Sequence, residues 1–452
     1  MKKIALIISN PIYIRNYILS KSYKDLIENY KLSILFPKEL NSIENIYDCK
    51  IYNNYFYKYP KILKNLAQFN NDLSLFSNQE KSPDFSFRIK RKFNFKKLSQ
   101  YKSYKNGYIY RIKVFLKILI LNIISKSFLT KYINSLSRII FNKLSPIQKI
   151  VNEDLFDFII CPSSAAGTEE FDISSSTNFL SNNCKTVLLI DNWDNLSSKY
   201  VMCFKPNHIA VWGEQTKFHA ISIQNILPKN ITVIGTPRFA KYKKNIDKKL
   251  ITNYPKLPEN YFLFCGTQTY FDEEKLLSNI LKIIKNNFPN YQLIYRPHPW
   301  RESFSTKREK ISKEIILDPT LNFKSQNIGG LNLPNLDLYN YIISNSKLII
   351  GGTTSMVVES SIFRKPYLLV AYDDGNPIQS PYECFIRREH QKLTPLLNNV
   401  EICFEYEEIN NKMNNLISKK IPKNDKVLDF IISNECEKYS KNLLNLISKL
   451  DK

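Results

Sequence analysis

Short apolar runs of three to five residues alternate along the chain with segments whose apolar positions recur every three or four residues. The first pattern is that of strands buried on both faces of a parallel sheet, and the second that of helices covering such a sheet. Together they predict an α/β architecture. A first series of candidate strands comprises Ile4–Ile8, Leu32–Phe36, Phe158–Cys161, Thr186–Ile190, Ile209–Trp212 and Thr232–Ile234. A second comprises Tyr261–Cys265, Gln292–Tyr295, Leu348–Ile350, Tyr367–Ala371 and Val400–Phe404. Between the first two strands of that second series, Leu276, Leu277, Ile280, Leu281, Ile283 and Ile284 predict a helix over Glu274–Asn287. The polar stretch Arg238–Glu259, with its two prolines, separates the series. It sets a boundary between a first domain, 1–240, and a second, 241–425, with a helical segment, 426–452, expected to pack back across both.

The N-terminus, Met1-Lys2-Lys3 before an apolar run, imitates a secretory leader. The run stops at Ser9-Asn10-Pro11 with no small-residue cleavage site, so a first buried strand fits better. The nearest approach to a membrane span, Val114–Ile124, is short and interrupted by Lys117. With 452 residues and 43% hydrophobic content, wholesale disorder is excluded. Eight scattered cysteines, with no C-x-x-C spacing and no ligand-like pairing with the four histidines, read as reduced, buried thiols of a cytosolic protein.

Charge adds a regional feature. The net charge is +24, and abundant Lys, Ile and Asn reflect nucleotide bias, so total lysine number alone carries little weight. Its distribution carries more: residues 81–150 hold seventeen Lys and Arg against one acid, Asp84. Phe85, Phe87, Phe93, Phe95, Tyr101, Tyr104, Tyr108 and Tyr110 are interleaved, and an apolar helical stretch follows from Ile112 to Leu136. An anionic membrane surface attracts this combination, at roughly 1 kcal/mol per cation near the headgroups. A solvated lysine-rich insertion and a nucleic-acid-binding face are the competing readings.

Glycine is scarce, at ten residues, and five of them (167, 235, 266, 351 and 352) fall directly after candidate strands, where α/β proteins open their ligand crevices. Tyr295-Arg296-Pro297-His298-Pro299 follows one strand; the flanking prolines hold His298 on a stiff loop, with Arg296 suited to a phosphate. Leu348-Ile349-Ile350-Gly351-Gly352-Thr353-Thr354-Ser355 reads as strand, glycine turn, hydroxyl cluster and then a helix starting near Thr354. Its backbone and hydroxyls would meet an anion, and Glu359 a ribose diol. Gly266 and Thr267 follow a further strand. In Asp191-Asn192-Trp193-Asp194-Asn195-Leu196-Ser197-Ser198-Lys199, acids, amides, an indole and hydroxyls together form poor core material and good sugar-binding material. Asp191 or Asp194 would serve as general base, with Glu170 of the Glu169-Glu170 pair as rival.

Two successive Rossmann-like series, the Arg-Pro-His-Pro element, and Gly-Gly-Thr-Thr-Ser-x-x-x-Glu with Lys365-Pro366 beyond it resemble the GT-B glycosyltransferase superfamily. Within it the likeness is to bacterial surface-polysaccharide transferases: CDP-glycerol glycerophosphotransferases, capsule Kdo transferases and sialyltransferases. The segment from Asp191 to Lys199, with Val211-Trp212-Gly213-Glu214, also looks like a further group of bacterial polysaccharide transferases. The resemblance implies two Rossmann-like domains facing each other across a cleft, with a basic helical insertion at about 60–150 of the first. It implies that His298 and Arg296 contact donor phosphate, that Thr354 and Ser355 are the hydroxyl pair and that Glu359 holds the ribose; the strand-end residues Gly266, Thr267, Gly352 and Thr353 are expected to line the nucleotide site with them. Thr-Ser replaces the usual Ser-Ser, and Gly351 stands where retaining relatives place a second Glu, which favours inversion. No Asp-x-Asp motif stands at a strand end, so no metal is expected.

The expectation is an inverting, metal-independent transferase with no cofactor beyond a nucleotide-activated donor, CMP- or CDP-linked. Its acceptor would be a lipid-linked or growing surface glycan, reached from the inner face of the cytoplasmic membrane through residues 81–136. Catalysis would rest on Asp194, Asp191 or Glu170 as base and on His298 at the leaving phosphate. The rivals are a nucleotide-sugar 2-epimerase of the same fold, a nucleic-acid-binding protein, which would leave the His-Pro and Thr-Thr-Ser elements unexplained, and an inert scaffold.

Overall fold

Aliphatic runs lie at the centre of two separate parallel sheets, each in its own compact unit. The computed structural model describes residues 1–36, 49–52, 59–93, 107–177, 180, 183–240, 242, 257–267, 273–298, 312–319, 327–328, 331–332, 336–375 and 380–452. Most of the polar stretch 238–259, the aromatic positions Phe95, Tyr101 and Tyr104, the cations at 96, 97, 102 and 105, and Pro299 lie outside them. One unit comprises Met1–Ala240, Ile328–Leu331 and Phe430–Lys452, the other Lys241–Asn327 and Asn332–Asp429.

The first unit contains β1 (Lys3–Ile7), β2 (Lys31–Leu35), β3 (Lys50–Tyr52), β4 (Phe158–Ser163), β5 (Lys185–Ile190), β6 (His208–Val211) and β7 (Ile231–Val233). They form one sheet in the order β3-β2-β1-β4-β5-β6-β7, with parallel pairing throughout. The chain leaves β1 toward β2 on one side and later returns to β4 on the other. The loops after β1 and β4 therefore diverge and leave a crevice at that switch point. The second unit holds β8 (Tyr261–Cys265), β9 (Gln292–Arg296), β10 (Ile316–Leu317), β13 (Leu348–Gly351), β14 (Tyr367–Val370) and β15 (Val400–Cys403), while β11 (Asn327–Ile328) and β12 (Leu331–Asn332) form a separate two-stranded element. The unit's six-stranded sheet runs β10-β9-β8-β13-β14-β15, with the switch point between β8 and β13. All eleven strands expected from the apolar runs are present within a residue or two. The short β3, β10, β11 and β12 carry no apolar run of their own and take their places from their neighbours.

Between β3 and β4 the chain forms helices Lys61–Ser77, Pro83–Lys92, Gly107–Ser125, Leu129–Leu144 and Pro146–Asp154. The helical stretch expected from 112 to 136 divides into two helices. Ser127 Oγ and Thr130 Oγ1 both donate to the Ile124 carbonyl, at 2.9 and 2.8 Å, and close the turn that breaks it. At the start of the last of these helices, Ser145 Oγ accepts from the Gln148 amide at 3.1 Å with Pro146 in the first turn. The insertion's cations are not all solvated. Lys92 and Lys117 both pair with the fully buried Asp72, and Arg138 Nε donates to the Ser175 carbonyl at 3.0 Å. The C-terminal helix Tyr439–Asp451 belongs to the first unit, where Ser440 bonds Asp25.

Candidate functional site

Each unit places a cluster of chemistry-bearing residues at its switch point. In the first, the loop after β4 turns through Ser164–Gly167 into the helix Thr168–Ser176. A Cβ on Gly167 would stand 1.9 Å from Glu170 Oε2 and 3.3 Å from Glu169 Oε2, so both carboxylates fold back over this residue, and a larger side chain there would displace the Glu170 carboxylate. Glu170 Oε1 accepts from the Ser164 amide at 3.0 Å. Burial and then the neighbouring Glu170 charge push Glu169 up to about 7. Burial raises Glu170 too, while the Ser164 and Gly167 amides and the Ser163 hydroxyl draw it back.

Asp191, immediately after β5, joins this cluster from the other side. Its Oδ1 accepts from Asn16 Nδ2 at 3.2 Å, and Asn16 Oδ1 in turn accepts from Arg15 Nε at 3.0 Å. Burial raises its carboxyl, and the Asn16 bond with the Arg238 and Arg15 charges opposes the rise. Tyr13, buried, feels both Asp191 and Glu170; burial and those two charges hold its phenol well above the usual range. Tyr13 and Asn16 come from the loop after β1 and the π-helical stretch Ile14–Ile18 that follows. No pattern in the sequence marks that stretch.

Asp194 is placed differently from Asp191. It begins the short helix Asn195–Ser198, where its carbonyl accepts from Ser198 Oγ at 2.7 Å and its carboxylate pairs with Lys199 at 3.7 Å. Trp193 is 2% exposed, and Asn195 and Ser197 are buried with it. The loop expected to offer a sugar platform thus turns its indole into the core. A run of polar residues after a strand does not reveal which of them face inward.

In the second unit the loops after β8 and β13 meet. A Cβ on Gly352 would lie 2.7 Å from Thr267 Cγ2, and one on Gly266 would lie 2.9 Å from the His298 backbone N. The glycines therefore bring three loops together: Gly266-Thr267, Pro297-His298 and Gly352–Ser355. His298 is half-buried at the end of β9. Arg296 pairs with the buried Asp318, its guanidinium 4.6 Å from the Tyr339 ring centre. The helix after the hydroxyl cluster begins at Met356, two residues later than Thr354, and spans only seven residues. Thr354 Oγ1 accepts from the Met356 amide at 3.3 Å.

Glu359 is fully buried, and both its oxygens are engaged: Oε2 accepts from Tyr242 Oη at 2.9 Å and Oε1 from Ser355 Oγ at 3.2 Å. With none of its surface exposed, this carboxylate meets a ribose only if the side chains covering it move. Two further residues escape sequence reasoning. Glu273, buried, accepts from the Thr267 amide and from Tyr295 Oη, each at 2.7 Å, and so fixes the loop after β8. Arg388 Nη1 donates to the carbonyl and hydroxyl oxygens of Thr353 at 2.6 and 3.1 Å, setting a cation beside the hydroxyl turn. The only sequence signal for Arg388 is a basic pair, Arg387-Arg388, far downstream. Among the described residues, no group of three or more His, Cys, Asp and Glu is arranged to hold a metal ion.

No protein-family model matches the chain, and no curated protein does. Solved structures do match. The UDP-GlcNAc 2-epimerase of Methanocaldococcus jannaschii is similar over 99% of this chain and 100% of its own, at 12% identity and a TM-score of 0.51. The UDP-GlcNAc 2-epimerase of Neisseria meningitidis, solved with UDP-GlcNAc bound, covers the same shares at 12% identity and 0.52. The wall teichoic acid polymerase TagF is similar over 99% of this chain and 89% of its own, at 12% identity and 0.50. With two parallel α/β units in succession and this likeness along nearly its whole length, the chain has the GT-B fold, built from two Rossmann-like domains.

Proposed function

We propose that the protein is an enzyme that transfers a sugar or polyol phosphate from a nucleotide-activated donor, CMP- or CDP-linked, to a hydroxyl of a lipid-linked or growing surface glycan. The observation that carries this reading is the Glu169–Glu170 pair at the first switch point. A carboxyl near 7 is partly ionised at neutral pH and accepts a hydroxyl proton more readily than one near 4. The acceptor hydroxyl gives its proton to Glu169 as its oxygen attacks the donor, and the bond to the leaving phosphate breaks. Burial, with the Glu170 charge beside it, holds Glu169 in its raised state, and Asp191, anchored by Asn16, orients the acceptor. In the second unit the Gly266, Gly352 and Thr353–Ser355 turns receive the nucleotide phosphate, with His298 and the Arg388 cation countering the developing charge. Arg296, paired with Asp318, shapes the loop that carries His298. Glu359 exchanges its Tyr242 or Ser355 bond for the ribose.

A second reading has its own support: two of the similar structures described above are UDP-GlcNAc 2-epimerases, one solved with UDP-GlcNAc. An epimerase needs no acceptor, and the same acid pair would move a proton at the sugar. Thermal shift against CMP, CDP, UMP, UDP and GDP, followed by product analysis with UDP-GlcNAc alone, separates the two. Stabilisation by CMP or CDP supports the transferase; a ligand at a hundred times its Kd adds about 2.7 kcal/mol. Selective stabilisation by UDP, with a 2-epimer formed in the absence of acceptor, replaces the transferase with the epimerase. No response to any nucleotide overturns both.

A further inference from the structure

The helices Gly107–Ser125 and Leu129–Leu144 are apolar on two opposite faces. Inward, Val114, Ile118, Leu121 and Ile124 pack with Leu73 and Phe76 of the helix Lys61–Ser77. Outward, Ile112, Phe115, Leu116, Leu119, Ile120 and Ile123 recur every three or four residues, one continuous stripe, and are 43–60% exposed. The following helix adds Leu129, Tyr132, Leu136 and Ile139, and Phe128 at the turn between them is 72% exposed. Both helices pack their inner faces on Lys61–Ser77 and lie against each other, so the two stripes look outward together. Soluble monomers rarely leave so extended an apolar face to water.

The charge around this face points to its occupant. Residues 85–152 contain no Asp or Glu, while Lys113, Lys126, Lys131 and Lys143 are exposed on the same two helices and their connection. Apolar side chains flanked by ammonium groups, with no acid among them, complement a surface that is apolar within and negative at its rim. No helix among the described residues is long and apolar enough to cross a membrane. The pair's geometry is that of helices lying along an interface, their outer side chains among acyl chains and their lysines at phosphate headgroups.

We propose that this helical pair docks the protein on the surface of an anionic phospholipid bilayer. The inference rests on this surface alone and goes beyond the reaction proposed above, since it would hold for a transferase or an epimerase. Flotation of the full chain with vesicles of phosphatidylcholine, or of phosphatidylcholine with about a third phosphatidylglycerol, tests it. Recovery with the anionic vesicles and loss of binding at high salt are expected. Phe115→Ser, Leu119→Ser and Ile123→Ser together should lower the bound fraction about tenfold or more on anionic vesicles, because each removes apolar surface from the bilayer side. Lys113→Glu, Lys126→Glu and Lys131→Glu together should remove the preference for anionic lipid. All six side chains are exposed, so the unfolding midpoint and any nucleotide-induced shift stay at the wild-type value, which separates failure of this proposal from failure of the proposed reaction. Absence of flotation, flotation equal for the wild type and the serine variant, or a dimer in sedimentation that the serine variant dissolves without lipid binding would each overturn it, the last in favour of a second copy as occupant.

Discussion

At the switch point of the first unit, Glu169 and Glu170 stand together over Gly167, each raised chiefly by burial. At the switch point of the second, Glu273 and Glu359 each engage both carboxylate oxygens with donors of their own unit: the Thr267 amide, Ser355 and two tyrosine hydroxyls. The same side chain thus has two uses on two similar sheets. A buried carboxylate supplied with donors is held as a fixed acceptor and braces a loop. One that burial raises, with a like charge beside it, holds its proton more tightly and is suited to proton transfer. On the proposal above, the first setting suits proton transfer and the second suits holding a loop that meets an anion.

The largest effect should come from replacing the crowded pair. Glu169→Gln is expected to lower turnover roughly 10²–10⁴-fold, the usual range for a general base, while leaving nucleotide-induced stabilisation intact. An unchanged rate with full nucleotide binding would remove Glu169 from the chemistry. With Glu169 as base, kcat/KM should rise with pH through about 7 and then level. The stability dependence has the opposite sense. A carboxyl whose folded-state value is raised contributes stability that is complete below its unfolded value and is lost as pH rises through about 7. Glu169→Gln should therefore raise the unfolding midpoint at pH 8 and change it little at pH 5, which a pH series of thermal melts reads directly.

Removing a bracing acid should act on stability instead. Glu273→Ala leaves the Thr267 amide and Tyr295 hydroxyl without their acceptor, at about 1–3 kcal/mol for each buried group left unpaired. Urea denaturation should show the loss, with no change in the pH profile of any surviving activity. Gly266→Ala puts a methyl against the His298 amide and Pro297 Cα, and overpacking of that kind costs about 1–3 kcal/mol. Weaker donor binding measured by calorimetry is the expected result. The smallest effect is that of Tyr242→Phe, which removes one bond to Glu359 worth about 0.5–1.5 kcal/mol in stability. If the freed oxygen binds the ribose, nucleotide affinity holds or rises; a fall of more than tenfold would instead assign Tyr242 to the nucleotide itself.

The glycine turns show why part of the second cluster was legible in advance. Gly266, Gly351 and Gly352 follow apolar strands in a chain that has few glycines, and close approach of backbone to side chain requires them there. Glu273 and Arg388 were not legible. Glu273 looks like an ordinary first-turn acid of an amphipathic helix, and Arg388 reaches Thr353 from 35 residues downstream. In the first unit Asp191 and Asp194 look equivalent in sequence. The chain direction after β5 then carries Asp191 to Asn16 and sets Asp194 beside Lys199.

What the sequence determined by itself was what depends on local spacing: eleven buried strands, the helix over 274–287, the glycine and proline turns at strand ends, and a strongly basic segment, 81–150, with one acid. Burial of aliphatic runs and the fixed dihedrals of proline act over a few residues, so their consequences are written in the order of the chain. Only the tertiary structure decided which acids meet, which cations are spent on Asp72, that Trp193 turns inward, and that an apolar stripe beside Lys113 and Lys126 remains outside. Those outcomes depend on which segments, tens to hundreds of residues apart, come within a few ångströms and exclude water. Desolvation and charge pairing arise only at that point.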